Sequence, residues 1–242
     1  MRLHEVIGLV GTVAVCHAAA VRPAPAMPQG PDEARALLER VATAAGGEGI
    51  EHRITSRVSK GVIVTPAGKA PLTISLKAPD RFLVVIDSPA GGLSRNGFDG
   101  KEAWSANERG VTVRTGPEAG FFCREQTLHR ETQLATLFAS VAVERPAELD
   151  GRSVVVARAV SRDGLTERFS FDASSYLLVR HEVEIGGTLL RADFDDYRTV
   201  DGVPVAHRIR RSRPDFAWTT EIGEVRHNMP IDDATFAKPG TR

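Results

Sequence analysis

The feature that most constrains the fold of this 242-residue chain is a pair of alternating segments that meet at two glycines. Leu177, Val179, Val183 and Ile185 fall on one side, with His181 among them, and the charged Arg180, Glu182 and Glu184 fall on the other. This period of two predicts a half-buried β-strand. Gly186 and Gly187 can adopt the positive φ angles of a hairpin turn, and alternation resumes over residues 189–198. The stretch therefore predicts an antiparallel hairpin, with His181 on its apolar face.

The same alternation recurs along most of the chain, between short turn signals rich in Gly, Pro and Asp. Such segments predict antiparallel strands that bury one face and expose the other. The predicted strands are residues 50–58, 72–77, 81–87, 102–106, 111–114, 153–159, 165–172, 177–185, 189–198, 205–213 and 216–226. An open sheet of about eleven strands tends to curl. The expected fold class is therefore mainly β: one large, curved antiparallel sheet that forms an unclosed β-barrel.

Two segments have helical spacing instead. Asp32 and Glu33 suit a helix N-terminus, and apolar residues recur at helical spacing until Gly46 and Gly47. Residues 118–141 show the i, i+3, i+4, i+7 pattern of a second helical region. We expect both segments to cover the concave face of the sheet, the second as a lid. The lid side chains expected to face the sheet are Phe121, Phe122, Leu128, Leu134, Leu137 and Phe138.

The N-terminal residues have the order of a secretory signal peptide: positive, then apolar over residues 6–15, then small. The apolar run is too short to span a membrane. We expect a signal peptide and lead-in over residues 1–26 and a single domain over residues 27–242. A buried N-terminal helix is one alternative, and a form lipid-anchored through Cys16 is another. Cleavage after Ala20 or Ala26 would leave only Cys123, which we interpret as packed rather than reactive.

The chain offers little that predicts catalysis or a metal site. Its formal net charge is zero, which gives no overall attraction to nucleic acid. The seven histidines lack the spacing of metal ligands, and no serine has the G-x-S-x-G setting of a nucleophile. The acid pairs at 195–196 and 232–233 are interpreted as turn and capping residues. The basic run at 208–213 is interpreted as a solvated face or a contact for lipid headgroups. We therefore expect no enzyme activity, cofactor or metal.

Four segments resemble motifs of LolA-like outer-membrane lipoprotein-sorting proteins. They are residues 97–104 (GFDGKEAW), 171–180 (FDASSYLLVR), 195–204 (DDYRTVDGVP) and 228–236 (NMPIDDATF). The resemblance implies an unclosed antiparallel barrel with a helical lid over an apolar cavity. It also implies a periplasmic location and a role in holding acyl chains, usually those of lipoproteins. No motif matches the lid-clamping arginine of those carriers, so none is assigned.

Large side chains from several strands could line such a cavity. The candidate ligand-binding residues are Ile74, Leu76, Phe82, Val84, Trp104, Phe169, Phe171, His181, Phe194 and Trp218. The alternative is an ordinary packed core in which His181 is a hydrogen-bonded core histidine.

The leading hypothesis is a monomeric periplasmic carrier or binding protein for lipoprotein acyl chains or another amphiphile. The runner-up is an envelope-stress sensor or scaffold on the same fold, which binds an envelope protein through its outer face or edge strands. A hydrolase ranks third, because it would need a nucleophile that the sequence does not offer.

Overall fold

A computed structural model describes residues 30–88 and 92–240, most of which belong to one 14-stranded antiparallel sheet. The strands are β1 (Ser56–Thr65), β2 (Gly68–Lys77), β3 (Arg81–Ser88), β4 (Gly92–Phe98), β5 (Ala103–Asn107), β6 (Gly110–Arg114), β7 (Ser140–Val143), β8 (Ala147–Leu149), β9 (Arg152–Val160), β10 (Thr166–Asp172), β11 (Leu178–Ile185), β12 (Thr188–Val200), β13 (Val203–Arg213) and β14 (Phe216–His227). The helices are α1 (Pro31–Ala44), α2 (Ile50–Arg53), α3 (Gly116–Glu125) and α4 (Leu134–Leu137), with 3-10 turns at Arg130–Gln133 and Asp233–Phe236. The predicted signal peptide and Cys16 lie outside the described residues.

The mainly-β prediction is confirmed, with 14 strands instead of about eleven. The added strands are β4, β7 and β8. They are short or rich in polar residues and glycine, so their alternation is weak in the sequence. Within residues 30–88 and 92–240, no helix combines the length and apolar character that crossing a membrane requires.

The strands form two meanders that meet at the pairing of β1 with β14. Their order is β6-β5-β4-β3-β2-β1-β14-β13-β12-β11-β10-β9-β7, and β8 also pairs with β9. The sheet is open, with β6 and β7 at opposite ends of this order. Where β1 meets β14, the register shifts between Lys60 and Gly61. A Cβ at Gly61 would lie 2.0 Å from the carbonyl oxygen of Glu221, so this bulge requires glycine.

The predicted strand at residues 50–58 is wrong in its first half. Residues 50–53 form helix α2, and β1 begins only at Ser56. Ile50 and Ile54 are four positions apart, which is one helical turn, and both are buried against Val203 and Val205. Ile50 and Ile54 therefore lie outside β1 and do not indicate which of its faces is buried.

The second helical region is also shorter than predicted. Residues 116–138 contain α3, the 3-10 turn at Arg130–Gln133 and α4, but residues 140–143 form strand β7. Val141 therefore pairs with Ala159 on β9 instead of completing a helical face. The helical spacing in the sequence continues into a segment that the edge of the sheet captures as a strand.

The hairpin predicted around Gly186 and Gly187 is confirmed, with φ angles of 57° and 78°. Its first strand contains a bulge that the alternation did not reveal. Val179 is the extra residue, and it packs with Val154 and Val156 in a separate cluster rather than beside His181.

The largest apolar cluster lies between the helices and one end of the sheet. It joins α1 and α4 to strands β7, β9, β10 and β11. The buried members are Ala34, Leu37, Val41, Leu134, Phe138, Val143, Ala157, Ala159, Phe169, Phe171 and Leu178. Because α1 and α4 bury their apolar sides here, one face of the sheet is covered. We call this covered face the inner face, and residues 116–138 the lid.

Candidate functional site

A cavity of about 160 Å³ lies between the lid and the inner face, next to strands β1, β2 and β12–β14. Other hollows of about 360–700 Å³ are more open to solvent and lie on the surface. The smaller cavity is the candidate site, because it is less open to solvent than these hollows and lies between the sheet and the segment expected to cover it.

The two walls of this cavity differ in chemistry. The strands contribute Ile74, Leu76, Phe194, Ile209 and Ile222 among its lining residues. The lid contributes the segment from Glu125 to Glu131 except Leu128, all of it polar or charged. The strand wall is mostly apolar because inner-face positions alternate with outward polar ones, but Arg57, Ser59 and Arg211 also lie on it. The lid wall consists of the last residue of α3, the linker after it and the start of the 3-10 turn. The cavity is therefore amphipathic.

Ion pairs hold the carboxylates of the lid wall in their charged form. Glu125, at the end of α3, accepts a hydrogen bond from Arg211 of β13 at 3.2 Å. Glu131 accepts from its neighbour Arg130 at 3.0 Å. Burial alone would raise the pKa of each carboxyl, but the nearby guanidiniums outweigh it, so both pKa values lie below the ordinary value. The polar wall thus remains ionised at neutral pH.

A second ion-pair group fastens α3 to the sheet. Arg124 donates to Glu167 of β10 at 2.8 Å and to Asp163 at 3.0 Å. Glu167 is 1% exposed and also accepts a hydrogen bond from His181 at 2.8 Å. Phe121 of α3 stacks over the His181 ring, with 5.9 Å between ring centroids. The lid is therefore attached to the inner face by both charge and aromatic contact.

His181 is uncharged in this arrangement. Burial is the main cause that lowers its pKa, and Arg130 lowers it further. The hydrogen bond to Glu167 acts in the opposite direction, but Glu167 already shares its charge with Arg124. Glu167, which is paired with Arg124, accepts this hydrogen bond, so the neutral imidazole donates through Nε2–H. His181 therefore serves here as a hydrogen-bonded partner of Glu167 and lies outside the cavity lining.

Three of the ten predicted ligand-binding residues line the cavity: Ile74, Leu76 and Phe194. Trp218 lies on the same inner face, directly opposite Arg211 on the neighbouring strand, and its ring lies beside Phe216. It is half-buried and borders the site without lining it.

Four further predicted residues are packed under the helices. Phe82 and Val84 form a cluster below α3, where Phe82 meets Phe122 edge-on at 4.9 Å. Phe169 and Phe171 are fully buried in the largest cluster. For these four side chains the structure supports the alternative of an ordinary packed core.

Trp104 lies on the outer face, contrary to its predicted place in the cavity. It pairs directly with Gly97, whereas Phe82 pairs with Phe98 on the inner face. Its indole Nε1–H donates to the carbonyl of Phe236 at 3.1 Å, so the C-terminal segment covers it. Gly97 provides the space, since a Cβ there would lie 2.5 Å from the ring.

The predicted lid residues all contact the inner face or α1, but in two groups. Phe122 and Leu128 belong to the cluster around Phe82, and Phe121 lies over His181. The second group packs with α1 and β9–β11. It comprises Leu134, Leu137 and Phe138.

The charged lining residues were not identified from the sequence. In the predicted strand at residues 50–58, Arg57 alternates with Ile54 and Val58, which predicts a solvated position; in the structure Ile54 precedes β1, and Arg57 lines the cavity. Arg211 was included in a solvated basic run, although it lies two positions from the inward-facing Ile209. Residues two positions apart on a strand share a face, so the position of Ile209 predicts that Arg211 points inward. The lid charges follow no periodic pattern, so no comparable signal exists for Glu125, Arg130 or Glu131.

Cys123 is a packed residue of α3. It lies in the cluster around Phe82 and is half-buried. Burial, with a smaller effect of Asp80, raises the pKa of its thiol to about 11. Within the described part of the chain, no group of three or more His, Cys, Asp or Glu is arranged to hold a metal ion.

A scan against protein-family models finds no match for this chain, and a sequence search of curated proteins finds none either. Solved structures do match in fold. A domain named for outer membrane lipoprotein sorting, from Vibrio parahaemolyticus, is 12% identical with a TM-score of 0.61, covering 85% of this chain and 96% of that one. A DUF1329 family protein from Desulfovibrio piger is 14% identical with a TM-score of 0.59, covering 84% and 97%.

A LolA superfamily protein from Nitrosomonas europaea is 11% identical, with a TM-score of 0.59 over 85% of this chain and 97% of that one. At these identities the likeness concerns the fold. The predicted resemblance to LolA-like proteins is confirmed at that level.

Proposed function

We propose that this chain is a periplasmic binding protein that holds the acyl chain of an amphiphile between its lid and its inner face, without catalysis. The observation that carries the proposal is the two-sided lining of the cavity: the strands contribute mostly apolar side chains together with Arg57 and Arg211, and the lid contributes polar and charged ones. An amphiphile has the same two-sided chemistry. Each methylene buried on the strand wall contributes roughly 0.8 kcal/mol to binding.

The fold likeness adds weight to this proposal. One solved structure of the same fold is named for outer membrane lipoprotein sorting, and another is a LolA superfamily protein. Lipoprotein acyl chains are therefore among the candidate ligands, together with other lipids of one or more long chains.

The proposal requires the lid to move. A cavity of about 160 Å³ is smaller than the roughly 300–1,000 Å³ of ordinary ligand sites. Polar contacts such as Arg211–Glu125 and Arg124–Glu167 contribute to holding the lid closed. Such contacts can be exchanged for water when the lid opens, whereas the apolar cluster under α1 remains in place. We expect the segment around α3 to be displaced when the ligand binds.

The two tryptophans provide a direct test. Dodecanoate added below its micelle concentration should change the tryptophan emission and saturate, because Trp218 borders the cavity. Trp218→Phe should abolish the change, whereas Trp104→Phe should retain it, because Trp104 is enclosed on the outer face. A response that vanishes with Trp104→Phe but persists with Trp218→Phe would contradict binding at the inner face.

A matched pair on strand β2 locates the ligand. Ile74→Glu places a charge on the apolar wall and should weaken dodecanoate binding at least tenfold. Thr73→Glu places the same charge on the outer face, one position away, and should change binding by less than about twofold. If both variants bind dodecanoate as the unmodified chain does, the acyl chain lies elsewhere and the proposal fails.

A second candidate function is the binding of an envelope protein by an edge strand. Strand β6 ends the sheet order, and Val113 is 41% exposed on the outer face there. An exposed strand edge can pair with an extended segment of a partner. Val113→Lys would then reduce capture of envelope proteins and leave dodecanoate binding unchanged. This function becomes the leading one if no amphiphile binds.

A further inference from the structure

The cavity contains cationic groups whose charge is not fully matched. Three guanidiniums line it, from Arg57, Arg130 and Arg211, against two carboxylates, from Glu125 and Glu131. Arg211 is paired with Glu125, and Arg130 with Glu131. Within the described residues, no carboxylate lies within 4.0 Å of a nitrogen of Arg57. One positive charge in the cavity wall therefore lacks an ion-pair partner.

Arg57 has an unusual setting for a strand arginine. It lies on the inner face of β1, and its Nε donates to Nε2 of His227 at 3.2 Å. That contact leaves the two terminal nitrogens with four N–H donors, and Arg57 is among the residues that line the cavity. Arg57 is half-buried, and a guanidinium stays charged in a protein, so its partial burial without a counter-charge is costly. Glu131 acts on it electrostatically, but from beyond ion-pair distance.

Arg130 adds a second incompletely satisfied guanidinium. It is 4% exposed, and its Nε and Nη2 both donate to Glu131. Its Nη1 is enclosed and has no hydrogen-bond partner. A buried donor without a partner is destabilising, so a ligand oxygen that accepted a hydrogen bond from it would relieve that cost. Arg130 belongs to the lid, and Arg57 to the strand wall.

We infer that Arg57 and Arg130 form the recognition site for an oxyanion, the carboxylate or phosphate headgroup of the amphiphile. This inference rests on the proposed function and specifies the charge of its ligand. The acyl chain lies along the aliphatic strand wall, while the headgroup oxygens accept hydrogen bonds from Arg57 on one side and Arg130 on the other. Glu125 and Glu131 do not compete, because each is bound to its own arginine.

The test compares ligands that share a twelve-carbon chain and differ in headgroup. Dodecanoate and dodecyl phosphate carry the oxyanion, dodecanol is uncharged, and dodecyltrimethylammonium is a cation. With the full-length chain at neutral pH and about 0.15 M salt, we expect both anions to bind at least about tenfold more tightly than dodecanol. The cation should bind most weakly. Equal affinities for dodecanoate and dodecanol would overturn the inference and leave the proposed function intact.

Variants of β1 test whether Arg57 is responsible for the tighter binding of anions. Arg57→Gln should weaken dodecanoate binding about tenfold and change dodecanol binding by less than about twofold. Arg57→Lys should recover part of the loss. Lys60→Gln removes the same charge from the exposed outer face of the strand and should have no effect. Retained dodecanol binding shows that each variant is folded. An equal loss of dodecanoate binding in Arg57→Gln and Lys60→Gln would refute the site.

Arg130→Gln is the independent second variant, and it should also reduce the preference for dodecanoate over dodecanol. Inorganic phosphate distinguishes two sources of the oxyanion. If millimolar phosphate displaces dodecanoate, the site accepts a free oxyanion; if it does not, the site needs the attached chain. Either result supports oxyanion recognition. If neither dodecanol nor dodecanoate binds at all, the proposed function fails and this inference fails with it.

Discussion

Glu167 connects the chemistry of single residues to the position of the lid. Its carboxylate is 1% exposed and accepts hydrogen bonds from Arg124 of α3 and from His181 of β11. A buried carboxylate that loses its partner is strongly destabilising. Arg124 on the closed lid therefore provides the counter-charge for Glu167 on the inner face, and the same ion pair holds the lid in place.

The histidines make the stability of the protein depend on pH. Burial lowers the pKa of His181 and of His129 below the ordinary value. In the unfolded chain both titrate near pH 6.5, so below that pH the unfolded state binds more protons than the folded state. Stability is therefore complete above about pH 6.5 and falls as the pH decreases, by up to about 1.4 kcal/mol per pH unit for each histidine.

Urea unfolding at pH 7.5, 6.5 and 5.5 measures this dependence. His181→Gln should flatten the decline, because it removes one of the responsible groups. His52→Gln, at an exposed position of α2, is the control and should leave the decline unchanged. A free energy of unfolding that stays constant from pH 7.5 to 5.5 would contradict the assignment of neutral buried histidines.

At the scale of elements, the attachment of α3 can be measured as a coupling between two residues. Arg124→Met leaves Glu167 buried without its cation and should destabilise the protein by about 3 kcal/mol. The double variant with Glu167→Gln should lose less stability than the two single variants added together, because it has no buried Glu167 carboxylate without a partner. Arg168→Met is the control. Its side chain is 55% exposed in a surface pair with Glu144, so it should cost at most about 0.5 kcal/mol.

Hydrogen exchange identifies the segment that Arg124→Met destabilises. In Arg124→Met, residues 116–138 should exchange faster, while strands β10–β12 remain protected. Additive effects of the two changes, or uniform faster exchange throughout the sheet, would mean that Arg124 does not hold the lid.

Strands were predictable where alternation and turn residues agreed, as at Gly186 and Gly187. Strand boundaries and strand faces were not predictable where a side chain packs against a segment that is distant in the sequence. Ile50 begins a helical turn because Val203 and Val205 offer an apolar surface there. Trp104 faces outward because the C-terminal segment covers it. Alternation separates the two faces of a strand, but it does not reveal which face a later segment will cover.

The candidate site was only partly predictable for the same reason. The aliphatic wall at Ile74 and Leu76 follows from period-two patterning, which marks buried faces. The charged lining at Arg57 and Arg211 does not, because an arginine on an alternating strand is ordinarily assigned to solvent. Its enclosure arises only when the lid is placed over the sheet.

At the scale of the whole molecule, the joint between the two meanders leaves no room for a side chain at Gly61. Gly61→Ala would place a Cβ 2.0 Å from the carbonyl oxygen of Glu221, so β1 must move away from β14. We expect a loss of at least about 2 kcal/mol in urea unfolding. Gly223→Ala is the matched control across the same bulge. Its Cβ would be 3.9 Å from its nearest neighbour, so it should cost less than about 1 kcal/mol. Equal costs for the two variants would show that the bulge is not tightly constrained.

The same joint determines the order in which this chain can complete its fold. Strand β1 is made early, yet its partner β14 is made near the end, and Arg57 and His227 are 170 positions apart. Pairing over such a distance carries a large loop-closure cost and is slow. Until residues 216–227 emerge, the edge of β1 is open to other chains. The newly made protein therefore passes through a state in which its first half depends on protection from aggregation, and its last strand ends that dependence.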